Sequence, residues 1–269
     1  MHRIALACLA SLLLAACEGP QPQGLEGHWV DLTHELGEDS PFWPTADGFK
    51  HEVASYGKTP GGWFYSSYNL TLSEHGGTHL DAPVHFAAGK LTADKIPLDR
   101  LIGPAAVIDV SAASGANRDY RFTVADLERW EQHNGRLPDG TILLFRTGFD
   151  KYWPDRKAYM GTDERGPDAV AKLHFPGISR ELAQFLVDRR KVAAVGLDTP
   201  SLDYGQSTDF IAHRILLGAD IPGFENVANL DQMPAKGATV VALPVKIRDG
   251  SGGPLRIVAL VPKPLLPVG

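Results

Sequence analysis

The chain has 269 residues, 43% of them hydrophobic, with mean hydropathy near neutral, enough for one soluble domain with a sizeable core. A formal charge of -6 and a pI near 5.9 leave no basic footprint for phosphate backbones, which excludes nucleic acid as a partner. Both cysteines, Cys8 and Cys17, lie at the N-terminus, so a disulfide framework, a cysteine nucleophile and a thiolate metal site are excluded from the rest of the chain.

Arg3, an apolar run from Ile4 to Leu14 and the small residues Ala15 and Ala16 form the pattern of a secretion signal too short to span a bilayer. Leu14-Ala15-Ala16-Cys17 resembles the lipobox of bacterial lipoproteins, which implies removal of residues 1–16 and a lipid anchor on Cys17. An ordinary cleaved signal with an incidental cysteine is the competing reading. Loss of residues 1–16 removes Arg3 and no acid, taking the formal charge from -6 to -7. Residues 17–27, polar and rich in Pro and Gly, read as a tether, and residues 28–269, with no repeat or internal linker, as one domain. The expected location is exported, as a periplasmic or cell-envelope lipoprotein.

Within that domain Tyr68 to Ser73 alternates apolar with polar residues. Ala105 to Val110, Thr141 to Arg146, Val192 to Leu197, Thr239 to Val245 and Leu255 to Val261 are short apolar runs, as expected of strands buried on both faces. Two helices stand out. Thr123 caps Thr123 to Asn134 with Asp126 three residues on, and Ser179 caps Ser179 to Arg190 with Leu182, Phe185 and Leu186 on one face. Many strands and few helices predict a single α/β or α+β domain around a substantial sheet.

The chemistry concentrates in His75 to His85, HGGTHLDAPVH. Gly76, Gly77 and Pro83 argue against a helix. In an extended chain the odd positions His75, His79, Asp81 and His85 share one face, while Leu80, Ala82 and Val84 point to the core. Imidazole and carboxylate without thiolate suit zinc, manganese or iron(II), and few protein ligands leave positions open for water and substrate.

This segment resembles the signature of the cyclase-type metal-dependent hydrolases, His-x-Gly-Thr-His-x-Asp-x-Pro-x-His, a family that includes bacterial kynurenine formamidase and isatin hydrolase. The resemblance extends to Asp31-Leu32-Thr33-His34, to Phe42-Trp43-Pro44, and to His213 and Glu225, twelve residues apart. It implies that His75, His79, Asp81, His213 and Glu225 hold one or two divalent ions, zinc or manganese, with Asp81 able to bridge. It also implies His85 as acid/base, Trp43 as a substrate contact, a swivelling β/β/α fold and a homo-oligomer. Two departures bear on the substrate. Extra sequence from Arg118 to Pro176 and the Gly196–Phe210 region look like the longer isatin-hydrolase branch, whereas Glu225 stands where glutamine is expected in that branch.

The resulting expectation is an amidohydrolase that cleaves an aryl formamide such as N-formylkynurenine through water activated by the metal. Ring opening of an isatin-type cyclic amide is the alternative, and a non-catalytic periplasmic binding lipoprotein the alternative of another class. The substrate is in every case small and planar. Other residues read as structural: Asp198, Asp203 and Asp209 as turn and cap residues, Trp63 as packing in the core or at its rim, His28, His34, His51, His133 and His174 as structural or surface groups, and Gly250 to Pro254 as a tight loop between strands.

Overall fold

The structure is a computed structural model that describes residues 26–263. The signal, Cys17 and nearly all of the tether lie outside the described residues. No described helix is long and apolar enough to cross a membrane.

The strands are β1 (His28–Asp31), β2 (Lys50–Lys58), β3 (Phe64–Thr71), β4 (His79–Asp81), β5 (Ile102–Asp109), β6 (Arg121–Phe122), β7 (Ile142–Arg146), β8 (Gly177–Ile178), β9 (Ala194–Leu197), β10 (Gly223–Glu225), β11 (Lys236–Pro244) and β12 (Gly252–Val261). The helices are α1 (Ser111–Ala116), α2 (Val124–Asn134), α3 (Arg156–Met160), α4 (Pro167–Val170), α5 (Arg180–Arg189) and α6 (Ile211–Gly218). The main sheet runs β1-β12-β11-β5-β7-β9-β10-β4, and β4 pairs again with β12. The sheet therefore closes on itself as a mixed barrel, with β5, β7, β9 and β10 parallel at its centre.

The apolar runs read from the sequence are these barrel strands. Those of β5, β7 and β9 are buried on both faces and feed two cores, whereas β11 and β12, expected to be buried likewise, bury one face only and leave Leu243 exposed on the other. Ile142 and Leu144 point inside with Leu80, Phe224, Val240 and Ile257. Leu143 and Phe145 point outward to Leu127 and Trp130 of α2, Leu182 and Leu186 of α5, and Leu216 of α6. Both predicted caps are present. Thr123 and Asp126 form a reciprocal capping box, and the Ser179 hydroxyl accepts from the Leu182 amide. A smaller cluster of Phe149, Tyr159, Met160, Leu173 and Phe175, built from the extra segment, packs behind Trp43.

The strand read at Tyr68 to Ser73 is present with shifted bounds, and one packing expectation fails. The alternating run at Tyr68 belongs to β3, which pairs only with β2 in a separate two-stranded ribbon. Trp63, expected in packing, sits at the tip of that ribbon and is 64% exposed, because no described part of the chain reaches there to cover it.

Candidate metal centre and active site

β4 is short because Pro83, which has no amide hydrogen to donate, begins a 3-10 turn over Pro83–His85. The extended stretch, in which odd positions share a face as expected, runs only from His79 to Asp81. The rest converges by bending. Gly77 takes the left-handed conformation (φ +64°) that glycine adopts without steric cost, and the 3-10 turn brings His85 back so that its ring stacks on His75 with centroids 3.8 Å apart. Leu80 and Ala82 point into the core as expected.

Strand register assembles the rest. β4 lies antiparallel to β10 with Glu225 directly opposite His79, so the two side chains share a face. On its other edge, β4 pairs with β12, where Gly252 faces Asp81. A Cβ on Gly252 would lie 2.6 Å from the His75 ring, so only glycine allows that approach. His213 enters from α6.

Asp81 is the hub of the donor set. Its Oδ1 lies 2.7 Å from His75 Nδ1 and 3.3 Å from His79 Nε2, and its Oδ2 lies 3.1 Å from His213 Nε2. Glu225 places Oε1 3.0 Å from His213 Nε2 and Oε2 3.4 Å from His79 Nε2. Two overlapping groups could hold a metal ion: His75, His79 and Asp81, and Asp81, His213 and Glu225.

Each histidine is oriented through its other nitrogen. His79 Nδ1 meets the Gly77 carbonyl at 2.9 Å, and His213 Nδ1 meets Asp203 Oδ2 at 2.7 Å. Asp203 also accepts from the amides of Ala212 and His213, which fixes the start of α6. His75 Nε2 lies 2.9 Å from Ser251 Oγ, and Ser251 donates from both its hydroxyl and its amide to Glu74 Oε2.

The protonation pattern follows from this packing. Burial opposes charge on Asp81, yet the charge of His75 and the bonds from His213, His75 and His79 hold its carboxyl well below the ordinary range. Burial also works against His79, but Asp81 and Glu225 outweigh it and push the ring up to about 10. His213 is held well above its usual value against burial by Asp203, Asp81 and Glu225. His85 differs: burial lowers it to about 4, leaving it neutral at pH 7.

These groups form the floor of a cavity of about 370 Å³ whose walls include Trp43, Phe86, Pro200 and Phe210. Trp43 packs its edge against Phe175 and Phe210. All seven residues singled out from the sequence are therefore brought to one pocket. Sequence reasoning missed Asp203, set aside as a turn residue, together with Glu74, Ser251, Phe86 and Phe210. Asp203 had a local signal, a carboxylate ten residues before His213 at a helix start. Ser251, 176 residues from His75, had none. Among the other histidines, His34 stacks on Trp153 at 4.4 Å and lies apart from the donor set. Asp198 is buried under Thr147 and Gly148, which donate to it, and burial lifts it to about 7.

Fold and donor set together define a class: a closed-sheet α/β protein with an imidazole and carboxylate centre beneath an apolar pocket. The chain belongs to the cyclase family, whose model, described as "Putative cyclase", matches residues 30–204. It is 34% identical over 250 residues to the isatin hydrolase of Roseibium aggregatum, covering 87% of this chain and 92% of that protein. It is 30% identical to the kynurenine formamidase of Bacillus cereus, covering 86% and 96%. A crystal structure of an isatin hydrolase bound to the product analogue thioisatinate superimposes with a TM-score of 0.80, at 34% identity, over 88% of this chain and 94% of that one.

Proposed function

We propose that this chain is a metal-dependent hydrolase of the carbon–nitrogen bond in small planar amides. The observation that carries the reading is the convergence of three histidines and two carboxylates, from separated stretches of chain, on the floor of one pocket. The residues fit a divalent ion. His79 Nε2 is buried without a hydrogen-bond partner while facing two carboxylate oxygens, an arrangement that a cation between them would satisfy. Imidazole and carboxylate ligands suit zinc or manganese. Asp81, with one oxygen toward each donor group, would serve one ion or bridge two.

When bound, such an ion polarises the substrate carbonyl and lowers the pKa of water in its open position. The chain supplies the remaining steps. The walls formed by Trp43, Phe86 and Phe210 sandwich a planar ring and exclude bulk water. Water adds to the carbonyl carbon and the carbon–nitrogen bond breaks. An imidazole nitrogen of His85, neutral at pH 7, takes the proton from the attacking water and delivers it to the leaving nitrogen.

Both relatives act on amides of this kind, and the pocket favours the cyclic amide of isatin type over N-formylkynurenine. Among the described residues that line it there is no lysine or arginine, whereas N-formylkynurenine carries an amino-acid group whose carboxylate calls for a cationic partner. Hydrolysis of isatin and of N-formylkynurenine, each followed spectrophotometrically with zinc- and with manganese-loaded protein, tests the assignment. Faster turnover of isatin is expected. The reverse order moves the assignment to aryl formamides, and no turnover at full metal occupancy contradicts the hydrolase and leaves a binding protein. Export as a lipoprotein anchored at Cys17 rests on the N-terminal sequence alone; a mature N-terminus other than Cys17 by mass spectrometry would exclude it.

A further inference from the structure

The Gly77 carbonyl holds two donors at once. Asn226 Nδ2 donates to it at 2.7 Å and His79 Nδ1 meets it at 2.9 Å, with the two nitrogens 3.5 Å apart. Both lone pairs of that oxygen are therefore in use. Gly77 lies in the bend that precedes β4, so the amide of Asn226, rather than a strand ladder, fixes the direction of the carbonyl. A carbonyl only accepts, so Nδ2 of Asn226 faces Gly77 and Oδ1 faces away. Oδ1 lies 2.9 Å from the Tyr159 hydroxyl, which donates to it and also sits 3.2 Å from the Asp198 carbonyl at the end of β9. Burial holds the Tyr159 phenol well above its usual value, so the proton stays on that oxygen.

The chain of contacts is enclosed, with Tyr159, Asn226 and His79 each at most 3% exposed. Asn226 is aimed by its backbone. It takes the left-handed conformation (φ +54°), which asparagine tolerates better than most residues. Its amide donates to the Thr199 carbonyl at 3.0 Å, and its carbonyl accepts from the Thr78 hydroxyl at 2.6 Å. Tyr159 comes from α3, inside the Arg118 to Pro176 segment that lengthens the chain, and packs edge-on against Trp153 at 5.5 Å. That segment thereby reaches the donor set through one hydroxyl without supplying a member of either donor group.

We propose that Tyr159 and Asn226 are positioning residues for the metal centre, holding the Gly77 carbonyl where it fixes the tautomer and the angle of His79. A neutral imidazole has one N–H, and a carbonyl at Nδ1 places it there, leaving the lone pair on Nε2. Nε2 is the nitrogen that faces Asp81 and Glu225 and is buried without a hydrogen-bond partner. A Gly77 carbonyl free to turn would let the ring rotate and would weaken the preference for this tautomer. Because the three side chains are shut off from water, a lost contact is not remade by solvent. The roles of both residues rest on the metal centre proposed above and hold whatever amide is cut.

Zinc affinity by chelator competition and the visible spectrum of the cobalt(II)-loaded protein test the pair, since ligand-field bands report the geometry around the ion and need no substrate. Tyr159→Phe removes one oxygen and is expected to shift the bands and weaken zinc binding about tenfold; Asn226→Asp, which sets an acceptor against the Gly77 carbonyl, should weaken it by up to about a hundredfold. The double variant should lose no more than Asn226→Asp alone, because both residues act through one chain of contacts. Thr141→Val removes an equally buried hydroxyl just before β7, where it donates to the Pro138 carbonyl, and should lower the melting temperature without moving the bands. Wild-type bands and zinc affinity in Tyr159→Phe overturn the proposal whatever its melting temperature, and that variant decides if Asn226→Asp misfolds. Fully additive losses in the double variant overturn it as well. Wild-type protein that takes up neither ion overturns the metal centre itself, a failure distinct from that of the pair.

Discussion

The two halves of the site are built in opposite ways. His75, His79, Asp81 and His85 come from eleven consecutive residues and are gathered by a glycine bend, a three-residue strand and a 3-10 turn. His213, Glu225, Asp203 and Ser251 come from a helix, a strand and two loops that meet the first half only after the barrel closes. The contrast separates two tasks. Local sequence supplies most of the donors and the proposed acid/base, while topology supplies the carboxylates and hydroxyl that orient the rings and complete the second donor group. A local motif can therefore be intact in a chain whose barrel fails to close, and such a chain would have donors without a site.

Asp81→Asn strikes where the halves meet and is expected to have the largest effect. Loss of bound metal, together with at least about a thousandfold fall in kcat/KM, is the outcome to look for by elemental analysis and kinetics, equivalent to several kcal/mol. Normal metal content would remove Asp81 from its place as hub.

His85→Ala lies in the local half but outside both donor groups. It should keep its metal and lose kcat by ~10²–10⁴-fold; wild-type turnover would take the proton-transfer role away from it.

The distant half is probed through its orienting groups. Asp203→Asn leaves His213 without its carboxylate partner and is expected to weaken metal affinity ~10–100-fold. Ser251→Ala should cost less, because His75 is partly exposed and water can replace the hydroxyl. If Ser251→Ala proved the more damaging in competition with a metallochromic chelator, the ranking of these two orienting groups would be inverted.

The most diagnostic effect is that of pH. With no metal bound, His79, raised to about 10, and His213, raised well above its usual value, both carry protons at pH 7. A metal ligand must be a neutral imidazole, so binding expels both protons and affinity falls on acidification, by up to about a hundredfold per pH unit. Calorimetry in buffers of different ionisation enthalpy should report close to two protons released per ion that engages both rings. One proton per ion would mean that the two rings serve different ions, and zero release that neither ring gives up its proton to the metal.

Much of this was legible in the sequence because it depends on local pattern. The barrel strands buried on both faces read as uninterrupted apolar runs, and the caps at Thr123 and Ser179 read from three-residue spacings. Barrel closure was not legible, since the pairing of β4 with β12 leaves no periodic trace in a three-residue strand. The alternating run at Tyr68 was legible as a strand but not as part of a ribbon without a core, because period-two alternation has the same form whether its apolar face meets a barrel or solvent. Asp203 was passed over for a related reason. Its capping of α6 explains an aspartate fully, and its contact with His213 Nδ1 appears only once the helix is in place.

The central claim is that both halves of the site hold a metal on which amide hydrolysis depends. Its most direct test is to strip the protein with a chelator, measure hydrolysis of isatin and N-formylkynurenine, and titrate zinc or manganese back. The account predicts that activity falls to background and returns in proportion to bound metal, reaching a plateau at one or two ions per chain. Undiminished activity in protein shown by elemental analysis to be free of metal would contradict it.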